Sequence, residues 1–322
     1  MSQVVGVDLG GTNLRVAAVV DGAIARSVRI EVGAARSPAA VVEAIAAAVA
    51  ELVDDTAGEV AVGVGAAAML GDRAGTVVNA PNLGWRDVRF GPLLAARLGR
   101  RHPVGVYNDV NAIAFGEFAA GAGRGARDLL AVYVGTGIGA GFVVGGALAE
   151  GATSCAGELG HVKVAWGADA AACACGARGC LEAYAGGASL LARIRTDLAA
   201  GASPAVVAAA GDVTRAHPGH VDALAANDPW ARALWAECGQ LLAVGIGNAV
   251  TLLNPDRLVL GGGVLGRAPA LRAAVVAALD EVVPPALRRP LTVVDAALGD
   301  DAGLVGAALL AGRGVSLATA AG

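Results

Sequence analysis

The chain has 322 residues, 56% of them apolar, and a formal net charge of −4. That length holds one large domain or two of ordinary size with ample core material, and the slightly acidic balance without a basic block excludes an electrostatic footprint for nucleic acid or lipid headgroups. Ala, Val and Leu carry most of the hydropathy, and Lys163 is the single lysine among 24 Lys and Arg residues.

The first eight residues enter apolar alternation at once, without the basic flank and long apolar segment of a secretory signal, so a cytoplasmic protein is expected. Residues 4–9 end in Asp8-Leu9-Gly10-Gly11-Thr12-Asn13, after which Leu14, Val16, Ala18 and Val20 resume a strand-like pattern. This reads as a hairpin with a glycine turn. A P-loop needs a helix after its glycines and a Lys-Ser/Thr pair, and a dinucleotide fold needs G-x-G-x-x-G before a helix; neither pattern occurs here. The turn can offer backbone N–H groups and the Thr12 hydroxyl to a phosphate, with Asp8 placed to hold a hydrated Mg2+ and Arg15 adding charge. The alternative is a plain hairpin with an aspartate at its start.

Ser37-Pro38 opens a helix predicted through residue 53, with proline in the first turn where it is tolerated. Residues 60–64 read as a buried strand. Residues 76–85 read as a short strand running into a loop, where Asn82 is either a hydroxyl reader or part of an Asx turn. A helix over 90–98 and a strand over 104–107 follow. That strand ends at Asn108-Asp109-Val110-Asn111, where a helix begins and runs on through Phe118. Asp109 is either a cap or a general base at the mouth of a cleft, because sites in open α/β sheets lie beyond the carboxyl ends of strands.

Residues 129–149 carry no charge and are long enough to raise a membrane span. Glycines at 135, 137, 139, 141, 145 and 146 break the run, so a strand, a turn from Gly135 to Gly141 and a second strand are expected instead. This glycine and threonine hairpin repeats the first. Two similar α/β halves that close on a nucleotide between two such hairpins make the actin-like ATPase (sugar kinase / RNase H-like) architecture, an inference from fold analogy.

Gly157-Glu158-Leu159-Gly160-His161 is followed by Cys173, Cys175 and Cys180 within a short stretch. One histidine and three cysteines are the complement of a closed tetrahedral zinc site, which has no position for catalytic water. The metal is therefore expected to be structural and to hold two carboxylates, Glu158 and Glu182, in place to read a ligand. Cys155 and Cys238 are expected to stay reduced, and Lys163 reads as a surface residue at a strand edge.

Helices are expected over 183–199 and 230–253, with a shorter one around 218–226. A strand over 257–260 runs into Gly261-Gly262-Gly263, where a chain without side chains can lie flat beside adenine; an ordinary strand-to-helix turn is the alternative. A helix over 268–283 closed by Pro284-Pro285, a strand over 291–295 and a helix over 302–311 complete the pattern, and the tail after Arg313 is expected to fray.

Taken together these stretches resemble the ROK family of repressors, open reading frames and kinases, and within it the kinases acting on glucose. Asp8-Leu9-Gly10-Gly11-Thr12-Asn13 is similar to its first phosphate motif, Asn108-Asp109 to its catalytic pair, Gly135-Thr136-Gly137-Ile138-Gly139 to its second phosphate motif, and Leu260-Gly261-Gly262-Gly263 to its adenosine motif. The His161 and cysteine signature is the most specific match, and Asn82-Leu83-Gly84-Trp85 looks like the loop of glucose kinases. Two departures stand out. Ala67-Ala68 follow Gly65-Ala66 where the family usually has Pro-Gly, and Thr153-Ser154-Cys155 replace a His-Gly-Ala type sequence.

The resemblance implies ATP-dependent phosphorylation of glucose at the 6-hydroxyl, with Asp109 as the base. It implies Gly65, Asn82, Asn108, Glu158, His161 and Glu182 at the sugar, where amides and carboxylates take paired hydrogen bonds from neighbouring hydroxyls. Asp8, Gly10, Gly11, Thr12, Asn13, Arg15, Gly135, Thr136, Gly137, Gly261, Gly262 and Gly263 would serve ATP and Mg2+, and His161, Cys173, Cys175 and Cys180 the zinc. A small domain of residues 1–112 with 300–322 and a larger one of 113–299 are expected to close around the sugar, with hinges near 108–112 and 300. The expected assembly is a homodimer or dimer of dimers, with no nucleic acid or membrane partner. The alternatives are a kinase for mannose, fructose or an N-acetylated amino sugar, and a sugar-sensing regulator. The regulators carry a helix-turn-helix ahead of the first phosphate motif, which a strand starting at about residue 3 leaves no room for.

Overall fold

In the computed structural model, residues 3–33, 36–54 and 58–318 are described. The chain starts with β1 (Gln3–Leu9), β2 (Asn13–Val20) and β3 (Ala23–Glu31), then α1 (Pro38–Leu52), β4 (Val62–Ala66), β5 (Met69–Leu70), β6 (Val77–Ala80) and β7 (Trp85–Val88). Next come α2 (Phe90–Leu98), β8 (Val104–Asn108), α3 (Asp109–Ala120), β9 (Leu129–Val134), β10 (Ile138–Val144) and β11 (Ala147–Leu148). After the cysteine loop follow α4 (Glu182–Ala185), α5 (Gly187–Ala199), α6 (Pro204–Ala210), α7 (Pro218–Leu224) and α8 (Pro229–Leu253). The remainder is β12 (Arg257–Gly261), α9 (Pro269–Val282), α10 (Pro285–Arg288), β13 (Thr292–Asp295), α11 (Ala302–Gly312) and β14 (Leu317–Ala318).

The chain divides into two compact units. The first holds residues up to Leu129, Gly141–Gly157 and those from Ala296 on; the second holds Leu130–Ala140 and Glu158–Asp295. The sequence-drawn step after residue 112 falls inside α3, which groups as a whole with the first unit. Packing explains the difference. A Cβ on Gly306 of α11 would overlap the Ala112 carbonyl of α3, so the two helices meet backbone to backbone.

The first unit is built on a six-stranded sheet of order β14-β8-β4-β1-β2-β3. β1, β4 and β8 run parallel, and β2 and β3 add antiparallel on one side. Valine dominates the buried strands because its branched side chain fits a pleated surface: Val5, Val7, Val16, Val62 and Val64 pack with Ile45 and Val49 of α1 in one core. α11 lies so close to this sheet that a Cβ on Gly63 of β4 would overlap the Ala307 carbonyl.

A buried carboxylate ties this unit together. Glu117 of α3 is fully buried, and its oxygens accept from the N–H groups of Ala122 at 2.8 Å, Ala297 at 3.0 Å and Leu298 at 2.9 Å. Both oxygens face donors, so an amide NH2 in either place would point at an N–H. Glu117→Gln is therefore expected to cost about 2–3 kcal/mol, the range for losing a charged hydrogen bond and stranding a buried donor. Chemical denaturation checks this, and a stability within about 0.5 kcal/mol of the unaltered protein would refute it.

The tail departs from expectation. Leu317–Ala318 pair antiparallel with β8, and the Tyr107 hydroxyl donates to the Val315 carbonyl at 2.6 Å, so order continues past Arg313. The remaining tail, 319–322, lies outside the described residues.

The second unit is carried by the sheet of order β11-β10-β9-β12-β13, in which β12 and β13 run parallel. The helix expected over 183–199 is two helices. Gly186 is extended at ψ 143° and ends α4, and a Cβ there would press on the Glu182 carbonyl at 2.7 Å. α8 is long and apolar enough to cross a membrane by length and composition, yet half of its apolar window is buried inside the protein, including Leu234, Leu242, Ile246 and Val250. It packs as a core helix against α9.

Candidate functional site

In the first unit the parallel register puts the expected residues at neighbouring strand ends. Asp8 pairs with Gly65, and Gly65 with Tyr107; one step on, Leu9 pairs with Ala66, and Ala66 with Asn108. Asp8, Gly65, Asn108 and Asp109 thus sit together at the carboxyl ends of β1, β4 and β8, the side on which open α/β sheets bind ligands.

The helix that starts there resolves one alternative. The cap of α3 is Asn108, whose Oδ1 accepts from the N–H of Val110 at 3.0 Å and of Asn111 at 3.2 Å. Asp109 is the first helical residue, half-buried, with Oδ1 2.9 Å from the Val110 nitrogen. The helix does not depend on it for capping. Its carboxylate lies at the positive end of the helix dipole.

The glycine turn between β1 and β2 is closed by Gly10 N–H donating to the Asn13 carbonyl at 3.0 Å, and Asn13 Nδ2 donates to the exposed Thr12 hydroxyl at 3.2 Å. Asn82 comes to the same place: a Cβ on Gly11 would lie 2.8 Å from the Asn82 Cβ. Burial raises the pKa of Asp8, and Arg15, which faces it across the hairpin, lowers it. A cation there would favour the charged carboxylate. Arg15 itself is engaged elsewhere, donating to the Asp300 carbonyl at 2.8 Å and to the Asp301 carboxylate at 2.5 Å. The structure therefore commits Arg15 to the start of α11.

The two sequence departures sit in the first unit as well. Asn108 Nδ2 donates weakly to the Ala68 carbonyl at 3.4 Å, which anchors the Ala67-Ala68 loop. Ser154 is buried in the left-handed region at φ 60°, and the Cys155 thiol donates to the Leu70 carbonyl at 2.9 Å.

In the second unit the other glycine turn is shorter than expected, since β10 already begins at Ile138. Gly135 N–H donates to the Gly137 carbonyl at 2.9 Å, while the Gly135 and Thr136 carbonyls accept from Gly187 and Ala188 at the start of α5. Glu182 is drawn into this turn, its Oε2 accepting from Ile138 N–H at 2.8 Å; a Cβ on Gly137 would collide with that carboxylate. The glycines after β12 arrive at the same point. Gly262 has φ 91° and lies against the Val134 backbone, and Val264 N–H donates to the Val134 carbonyl at 2.9 Å. Gly135–Gly137 and Gly261–Gly263 are thus brought near one another, a stretch of backbone with little side chain.

The cysteine loop is the second cluster of this unit. Its donor atoms on His161, Cys173, Cys175 and Cys180 all lie within 4.8 Å of one another. Metal–ligand distances of about 2.0–2.3 Å in a tetrahedron require ligand–ligand edges of about 3.3–3.8 Å. Cys175 Sγ is 3.7 Å from Cys180 Sγ, within that range, and Cys173 Sγ is 3.9 Å from His161 Nδ1, just beyond it, so the four donors stand close to the spacing that a zinc ion needs. The other ring nitrogen, Nε2, is 3.8 Å from Glu158 Oε2. Burial pushes the Cys173 thiol up to about 11, whereas the Ala177 N–H holds the Cys175 thiol down. Arg178 donates to the Ala168 and Ala170 carbonyls and so braces the loop. All five cysteines have free thiols.

One residue here does more than the sequence suggests. Lys163 is exposed, as expected of a surface position, but its ammonium donates to Cys180 Sγ at 2.9 Å. Its uniqueness in an arginine-rich chain was the available signal.

Comparison with known proteins adds to this geometry. A model of the ROK family matches residues 4–313. A glucokinase of Streptomyces coelicolor is 34% identical over 97% of this chain and 98% of that protein, and one of Thermotoga maritima is 33% identical over 95% and 96%. A ROK family glucokinase from Streptomyces griseus, solved in complex with glucose and AMPPNP, superposes with a TM-score of 0.76 at 33% identity, covering 97% of this chain and all of that one.

Proposed function

The chain belongs to the ROK family, and on that premise we propose that it is an ATP-dependent kinase that phosphorylates glucose at the 6-hydroxyl. The reading is carried by one observation: Asp109 opens α3 at the strand ends, beside the Asn108 that caps the helix, in a chain similar over nearly its full length to glucokinases.

Asp109 takes the proton from the 6-hydroxyl as that oxygen bonds to the γ-phosphorus and the bond to ADP breaks. Phosphoryl transfer depends chiefly on aiming the nucleophile and neutralising charge, so one well-placed carboxylate is sufficient as base. Asp8 would hold a hydrated Mg2+, which would supply charge neutralisation at the phosphates. Gly10 and Gly135 close the two turns through their own N–H groups, the N–H groups of Gly11 and Gly137 with the Thr12, Asn13 and Thr136 side chains bind phosphate, and Gly261, Gly262 and Gly263 give the adenine a flat backbone to lie on. Arg15 joins them only by leaving Asp301.

Asn82, Asn108, Glu158, His161, Glu182 and the backbone at Gly65 read the sugar hydroxyls. A missing or inverted hydroxyl leaves one of these groups unpaired, which is how such a site discriminates. His161, Cys173, Cys175 and Cys180 would hold a zinc ion, which supplies rigidity and no reacting group. Through His161 that rigidity extends to Glu158, its neighbour at 3.8 Å. A homodimer in the cytoplasm belongs to the same reading.

A coupled assay with Mg-ATP or polyphosphate and a panel of glucose, mannose, fructose and N-acetylglucosamine tests this. Glucose with ATP is expected to give the highest kcat/KM. Turnover on another hexose with none on glucose would overturn the substrate, and no turnover on any would overturn the kinase reading.

A further inference from the structure

Lys163 stands where the two halves of the metal cluster are joined. The segment carrying His161 and the segment carrying Cys180 pair as an antiparallel bridge between Lys163 and Cys180. Val164 N–H donates to the Gly179 carbonyl and Leu181 N–H to the Val162 carbonyl, both at 2.9 Å, which fixes the register. Lys163 thereby lies across from the most deeply buried ligand, Cys180 being 0% exposed, and its ammonium reaches the sulfur at 2.9 Å.

The charge of the cluster gives that contact a purpose. Three thiolates and a neutral imidazole around Zn2+ leave a surplus of one negative charge, and Glu158, 3.8 Å from the His161 ring, adds another nearby. Arg178 of the same loop directs its guanidinium to the Ala168 and Ala170 carbonyls. An ammonium is a compact, full point charge that can be set on one sulfur, whereas a planar guanidinium is shaped for a fork of two oxygens. In a chain that otherwise uses arginine throughout, the one lysine occupies this position.

We propose that Lys163 is a positioning residue of the metal centre: through Cys180 it neutralises the surplus negative charge and sets how firmly zinc is held. The proposal rests on the reading of the His161, Cys173, Cys175 and Cys180 cluster as a zinc site, and the experiment separates the two. Zinc content and competition with a chromophoric chelator are measured on the full chain as purified and on Lys163→Met and Lys163→Arg. The unaltered chain is expected to hold one zinc, the methionine variant to bind it about 10–100-fold more weakly, as for other groups bonded to metal ligands, and the arginine variant to recover part of the loss.

No zinc in the unaltered chain overturns the zinc reading itself. Zinc held by the unaltered chain and equally well by Lys163→Met overturns the role of the lysine alone. Acetylation of the folded protein is a route that needs no refolding, because Lys163 carries the only side-chain amine. Faster loss of zinc to the chelator after acetylation, absent in acetylated Lys163→Arg, supports the proposal, and an unchanged rate overturns it.

Discussion

Asp109→Asn is expected to lower kcat by about 10²–10⁴-fold, the usual contribution of a general base, with little change in the KM for glucose. The substitution is nearly isosteric. Asn108 supplies the cap through two backbone N–H groups, so α3 keeps its start, and the lost interaction of the carboxylate with the helix dipole is worth about 0.3–1 kcal/mol. Steady-state kinetics beside a thermal melt distinguish the effects. Near-normal turnover in a folded variant would remove Asp109 from the chemistry. A large fall in stability matching the fall in rate would return it to a structural role.

Cys175→Ser has the second large effect. Cys175 is the exposed ligand, unlike buried Cys173 and Cys180, so the change removes almost no packing. Any loss of stability then reports on the metal. Removing a ligand is expected to weaken zinc by more than the roughly 10–100-fold typical of a group behind the ligands. The short turn Leu159–His161, which sets Glu158, would loosen with it, so the KM for glucose should rise while the melting temperature falls. Metal analysis, a melt and a KM on one preparation make the test. Zinc lost with an unchanged KM would break the link between the metal and sugar recognition.

Much of this site is legible in the sequence because its parts are local. A glycine turn with a threonine, an Asn-Asp pair at a strand-to-helix junction, and a histidine with three cysteines each announce themselves within a few residues. What escapes is either long-range or lacks contrast. Glu182 bonds to Ile138, 44 residues away, and Arg15 to Asp301, 286 away, and no local pattern announces either. β3 is mostly exposed, and its alternation is confined to Val28 and Ile30 between Ser27, Arg29 and Glu31, too short a run to announce a strand. α6 is a short run of Ala and Val in a chain where alanine is everywhere, and its buried and exposed faces look alike. The break at Gly186 follows from contact with Glu182, while the surrounding composition remains helical.

The close seating of α11 has a consequence for synthesis. β1 and β4 are made early, yet the backbone that covers them belongs to residues 302–312. At about 5–20 residues per second, a translating ribosome leaves the first unit without that layer for tens of seconds. The nascent sheet must wait, uncovered on that face, until residues 302–312 have been made. The sheet of the first unit therefore completes its packing only after the whole second unit has been synthesised.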